Sequence, residues 1–290
     1  MIGPPRAIQA DVPAELSESA RDYVRAAGGG LILGLPLLYT MEVWSHGFAL
    51  PAWKILLLLA VGLVIVVGYN AVAGFRRERT VAELLADSIS ALGLGIVIAF
   101  VALVVLGRID TTTSLRDAAG KVALEAIPIS FGASLAAAQL GGQDGSGAGA
   151  QTRVGPLARL FVAAGGALFF ALNVAPTEEP MMLGIEASPL LLIAVIATSV
   201  VVTFALVYYA DFGGRTRSGS GILEQPWSET ISAYAVSLGV ALLLLWSFGR
   251  TDGERLPAII GMMVMLGMVA AVGAAVARLL VGGHPEADGA

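Results

Sequence analysis

Eight apolar runs of about twenty residues each, separated by short polar stretches, constrain this chain more than any other feature. A helix rises about 1.5 Å per residue and a bilayer's hydrocarbon layer is about 30 Å thick, so each run has the length of one membrane crossing. The runs are 28–49, 53–75, 84–107, 119–140, 157–175, 188–210, 229–248 and 257–281. Only 13% of the 290 residues are charged and 57% are hydrophobic, whereas soluble domains carry roughly a quarter charged residues. The sequence therefore predicts an all-α membrane protein. The fourth run is the weakest, because Glu125 and Pro128 stand inside it; Pro36 and Pro176 make the first and fifth irregular.

The same composition excludes several classes. Cysteine is absent and there are only two histidines, His46 and His284, so thiol chemistry, Cys-ligated metals and a His-rich metal site are not expected. No Gly-x-Ser-x-Gly elbow or His-Glu-x-x-His run occurs, which argues against an enzyme. No cofactor is expected. A net charge of −5, with no basic cluster beyond Arg76, Arg77 and Arg79, argues against nucleic-acid binding.

Residues 1–26 are polar and mixed in charge, unlike a signal peptide. They are expected to form an arm on the membrane surface, with a short amphipathic helix over 17–25. Eleven Lys/Arg residues fall on one side of the predicted topology and six on the other. The positive-inside rule then places both termini in the cytoplasm of a prokaryotic cell, with the inner membrane as the location. Trp44, Trp53 and Trp246 fall near the outer ends of their runs, where amphipathic rings are favoured.

The two halves of the chain echo each other. An offset of 137 brings Gly28-Gly29 onto Gly165-Gly166, Thr40-Met41-Glu42 onto Thr177-Glu178-Glu179, and Gly47 onto Gly184. An offset of 142 brings Asp87-Ser88-Ile89-Ser90 onto Glu229-Thr230-Ile231-Ser232, and Gly107-Arg108-Ile109-Asp110 onto Gly249-Arg250-Thr251-Asp252. The fourth and eighth runs align only loosely. This pattern predicts eight transmembrane helices as a tandem, parallel repeat of two four-helix halves, 27–140 and 157–281. A Gly-rich cytoplasmic linker, 141–156, joins them and a tail, 282–290, follows.

Acidic and hydroxyl residues in proline-interrupted runs are the candidate functional groups. Thr40 and Glu42 in the first half, and Thr177, Glu178 and Glu179 in the second, fall at the outer ends of runs one and five. Carboxylates, hydroxyls and carbonyls freed by Pro36 and Pro176 suit a hard cation or a proton. Thr40 and Glu42 point about 200° apart on an ideal helix, so a shared site needs local unwinding. The competing reading has these glutamates in water at the headgroup level. Glu125, with Pro128, Ser130 and Ser134 following it, stands about 9 Å inside the fourth run; if the span starts later, it is a loop residue. Asp87 and Glu229 open runs three and seven, where the helix dipole favours an anion; a cytoplasmic relay is the alternative. Arg108-x-Asp110 and Arg250-x-Asp252 read as solvated caps.

Thr40-Met41-Glu42-Val43-Trp44 resembles the Thr-x-Glu-x-Trp filter of bacterial voltage-gated sodium channels, but no Arg-repeat helix accompanies it and the second half lacks the Trp. That function is not carried over. The run Leu35-Pro36-Leu37-Leu38-Tyr39-Thr40-Met41-Glu42-Val43-Trp44, with Ala175-Pro176-Thr177-Glu178-Glu179 downstream, resembles a prokaryotic family of uncharacterised integral membrane proteins, a conserved domain of unknown function, over residues from about 15 to 281. The resemblance implies a topology and supplies no activity. Two functions remain open: transport or conduction of a small cation or proton, and a non-transporting scaffold, sensor or accessory subunit. The bilayer is the one partner the composition requires. Oligomeric state and the identity of any metal stay undetermined.

Overall fold

The computed structural model describes residues 14–73, 80–140, 156–212 and 226–282. These form α1 (Ala14–Leu38), α2 (Met41–Ala49), α3 (Ala52–Ala73), α4 (Val81–Val105), α5 (Leu115–Leu140), α6 (Pro156–Leu172), α7 (Glu179–Glu186), α8 (Pro189–Phe212), α9 (Pro226–Ser247) and α10 (Leu256–Gly282). No strand occurs among the described residues. The stretches expected as linker and tail, apart from their helical edges, lie outside the described residues.

Among the described residues, five helical stretches are long and apolar enough to cross a bilayer: Ala52–Ala71, Val81–Val105, Pro189–Val207, Trp227–Ser247 and Leu256–Leu279. Tyr23–Leu38 with Met41–Ala49 adds a sixth if that pair counts as one span, but it bends by 80° at the junction. The expected first span is therefore two helices. Pro36 sits inside α1 without ending it; the break comes at Tyr39–Thr40, where Thr40 N–H bonds the Leu37 carbonyl at 2.8 Å and α2 starts afresh. Residues 1–13 of the expected arm lie outside the described residues, and the helix expected over 17–25 is part of α1, which runs from Ala14 into the apolar sequence. Of the expected fourth and fifth spans, α5 carries Arg116, Asp117, Lys121 and Glu125, and α6 is 17 residues long. Pro176 does not break a helix, because α6 has already ended at Leu172.

Two helices lie at the centre. α5 is packed by α1, α2, α3 and α4; α10 is packed by α6, α7, α8 and α9. Nearly every residue of α5 from Gly120 to Ser134 is buried, whereas α4 and α8 present large apolar side chains such as Val97, Phe100, Val101, Leu190 and Ile193 outward. That is the arrangement expected when lipid is the solvent of the outer helices. The two groups meet where α6 packs on α3 and α5, with Phe161 over Gly68 and Phe131 over Gly165.

Small residues set the closest approaches, as in membrane helix packing generally. A Cβ on Gly29 would strike Ala136 and the Gly132 carbonyl, and one on Gly166 would strike Gly273 and Ala277. One on Gly47 would strike the backbone of Gly120 and Lys121, and one on Gly184 that of Gly261 and Met262. The contacts of α1 and α2 on α5 thus recur in α6 and α7 on α10, with offsets of 137 in the packing helix and 141 in the central one. α4 and α9 end alike. Gly107 and Gly249 adopt φ of 65° and 73°, conformations that glycine reaches without penalty. Arg108 N–H reaches back to the Leu103 carbonyl at 2.7 Å, as Arg250 N–H does to Leu245 at 2.8 Å, and each glycine N–H bonds the carbonyl three residues before it. These are Schellman caps.

Candidate functional site

The end of the bundle bearing α2 and α7 gathers most of the polar residues singled out from the sequence. Thr40 lies in the α1–α2 break, and its hydroxyl donates to the Pro36 carbonyl at 2.6 Å. Thr177 does the same locally, donating to Val174 at 2.7 Å. The Thr40 hydroxyl therefore uses its proton on its own chain turn, whereas the Thr177 hydroxyl is shared between Val174 and Glu179. Glu42, in the first turn of α2, is half-buried. Its carbonyl lies 2.5 Å from His46 Nδ1 and accepts the Ser45 hydroxyl at 3.1 Å. Glu178 and Glu179 are exposed. The Thr177 hydroxyl holds the Glu179 carboxylate below the usual range, with smaller help from Arg250.

Arg250 is the cation nearest Glu179 and His46 in this region, and the expectation of a solvated cap is corrected for it. Its side chain is half-buried. It donates to the Pro176 carbonyl and lies close enough to act electrostatically on Glu179 and His46. The His46 ring meets Phe248 edge-on at 4.9 Å. Among the described residues, no three His, Asp or Glu side chains come together to hold a metal ion. Glu42 is half-buried, Glu178 and Glu179 are exposed with Arg250 acting on Glu179, and the acids of the two breaks form no ligand cage.

Two lysines are buried at the same end, and the sequence reading passed over both. Lys54 is 8% exposed, donates to the Trp246 carbonyl at 2.8 Å and lies over the Trp53 and Trp246 rings. Lys121 is 9% exposed, donates to the Arg108 carbonyl at 2.7 Å and faces Trp44 and Phe48. For Lys54 the adjacent Trp53 at a run end was the available signal, since amphipathic stems and cation–π contact favour such settings; Lys121 has no tryptophan near it in sequence and carried no such signal.

At the opposite end, Asp87 and Glu229 do not share an environment. Asp87 is exposed on α4. Glu229 is 5% exposed on α9 and accepts from Arg159 at 3.0 Å and from Arg278. This trio ties α6, α9 and α10 together, and Ser232 joins it around a cavity of about 30 Å³, room for a water or two. Burial and full pairing make a structural tie the direct reading of Glu229.

Glu125 differs from all of these. It is 0% exposed, and neither carboxyl oxygen has a hydrogen-bond partner. α5 starts at Leu115, so Glu125 lies about 15 Å along the helix. Its surroundings follow from register. Ile129, one turn on, packs against Gly30 and Gly34 of α1; Lys121, one turn back, packs against Gly47 of α2. Glu125 shares that stripe of α5 and so lies level with the stretch between Gly34 and Gly47, which contains the break at Tyr39–Thr40. Leu38 clusters with Val122, Ala126 and Ile129, and Leu37 and Val43 join the cluster that holds Leu124. Ser130 bonds the Ala126 carbonyl, and the Ser134 hydroxyl has no partner.

Comparison with known proteins adds a class without a chemistry. Residues 22–281 match the family described as "Putative integral membrane protein (DUF2391)", so the chain belongs to that family. No curated protein and no solved structure matches the chain.

Proposed function

We propose that this member of the DUF2391 family moves a small cation across the membrane, that the cation is the proton, and that Glu125 carries it. The supporting observation is a carboxyl group, fully buried in the central helix of the bundle, with both oxygens unpartnered. An ionised carboxylate without a partner costs several kcal/mol in such a place, so the resting form is the neutral acid. Ionisable residues inside membranes are rare and mark proton and ion pathways.

A metal ion fits less well than a proton. Calcium takes six to eight oxygen ligands and magnesium a near-ideal octahedron, whereas no acidic or histidine cluster surrounds Glu125 among the described residues. The same reading takes the chain as eight spans in two parallel halves, with both termini in the cytoplasm of a prokaryotic cell. The matching glycine contacts at offsets of 137 and 141 favour such a repeat. In this topology α2 and α7 lie at the outer face.

A second reading has a specific observation behind it. The cavity beside Glu229 is small, about 30 Å³, and the central helix α5 is buried along most of its length, as in a scaffold or accessory subunit that transports nothing. Reconstitution into proteoliposomes separates the two. Wild-type protein is challenged in turn with gradients of H⁺, Na⁺, K⁺, Ca²⁺ and Mg²⁺. Proton flux without metal-ion flux is the expected result. Flux of a metal ion alone would overturn the assignment to protons, and no flux of any ion would leave the scaffold in its place.

A further inference from the structure

The two halves place different chemistry at equivalent positions of their central helices. Gly47 packs on Gly120 and Lys121, and Gly184 packs on Gly261 and Met262; Gly29 packs on Gly132, and Gly166 on Gly273. The offset along the central helices is 141 at both levels. Between them, Glu125 corresponds to Leu266, and Lys121 to Met262. Leu266 and Met262 are both 0% exposed. The α6–α7 connection is thus closed by two apolar side chains where the α1–α2 break meets a carboxyl and a lysine.

We infer that the first half alone holds the proton site, and that Lys121 is the counter-charge that receives Glu125 when the proton leaves. This rests on the proposed proton function for its physiological meaning, but the site itself can be tested without flux. Lys121 and Glu125 are four residues apart on one helix, a spacing that lets the side chains meet. Lys121 is held meanwhile by the Arg108 carbonyl and the Trp44 and Phe48 rings. A lysine stem has the reach and flexibility to exchange one acceptor for another. Among the described residues, the other charged or titratable groups on helices packed against α5 include Tyr39 at the break, Glu42 and His46 on α2, and Lys54 on α3, which is held at Trp246; Tyr69 of α3 packs on Phe131, beyond Glu125 along α5, and Tyr23 lies at the far end of α1. Arg25, Glu83, Asp87 and Arg159 lie toward the opposite ends of α1, α4 and α6.

The test is labelling with dicyclohexylcarbodiimide, an apolar reagent to which a neutral carboxylic acid adds, its proton passing to nitrogen. Full-length protein in lipid vesicles is labelled across a range of pH, and the modified peptide is identified by mass spectrometry. Wild type should be labelled at Glu125, and the label should disappear in Glu125→Gln. In Lys121→Met the label should persist to higher pH, because the ionised form has lost its counter-charge. A purely structural lysine would leave that pH profile unmoved. The double variant Lys121→Met with Glu125→Leu, which reproduces the second half, should fold and go unlabelled. Absence of label at Glu125 in folded wild type, or a profile indifferent to Lys121, would overturn the inference even if protons flow. A label at Glu125 without proton flux would instead retain the site and remove the transport reading.

Discussion

Replacing Glu125 by leucine should make the protein more stable while abolishing its function. Both oxygens of Glu125 are buried without partners, and a buried unsatisfied polar group costs about 1–3 kcal/mol. Leucine removes that cost and adds the favourable burial of an apolar side chain. Its shape is already accommodated at the corresponding position, where Leu266 is 0% exposed against the same glycine framework. A net gain of about 1–3 kcal/mol follows. Glu125→Gln should not share it, because an amide in that place still has unpartnered donors and acceptors. The assay is equilibrium unfolding of the purified protein in mixed micelles, with helix content as the signal. Loss of more than about 1 kcal/mol in Glu125→Leu would refute the reasoning, since it would mean that the carboxyl is satisfied in the native protein.

Other outcomes follow from the packing. Gly47→Ala and Gly184→Ala should each destabilise by about 1–3 kcal/mol in the same unfolding assay, because the atoms in the way are helix backbone and cannot rotate aside. Glu229→Gln should cost about 1–3 kcal/mol, since it removes the buried carboxylate that accepts from both Arg159 and Arg278; unchanged stability would show that the trio is hydrated. Asp110 accepts bonds from Thr112 and Thr113 that hold its carboxyl at about 2, below the unfolded value of about 3.9. A lowered folded value stabilises above the unfolded one, so the order of the 110–113 turn should be complete above pH of about 4 and vanish as pH falls through about 2. Amide exchange at Thr112 across that range reads it, and protection that ignores pH would contradict the assignment.

The membrane class and the apolar helices were legible because hydropathy over twenty residues reports a solvent, and lipid is a uniform one. Helix breaks were harder to place. Pro36 pointed to an irregular first run, yet it sits inside α1 without ending it, and the chain turns beyond it at Tyr39–Thr40. Pro176 signalled a break where the helix had already stopped. Glu125 was legible as an acid inside an apolar run, but its lack of partners is a property of four neighbouring helices and has no local signature. Asp87 and Glu229 looked equivalent in sequence and differ in burial, since Glu229 faces two arginines from distant segments. Arg250 looked like a surface cap for the same reason: its partner, the Pro176 carbonyl, is 74 residues away.

The sharpest test of Glu125 as the proton carrier is proton flux into proteoliposomes under an imposed pH gradient, compared between wild type and Glu125→Gln with folding verified for both. Flux is expected in wild type and none in the variant. Equal flux in both would contradict it, because the proton would then cross without the one buried carboxyl proposed to carry it.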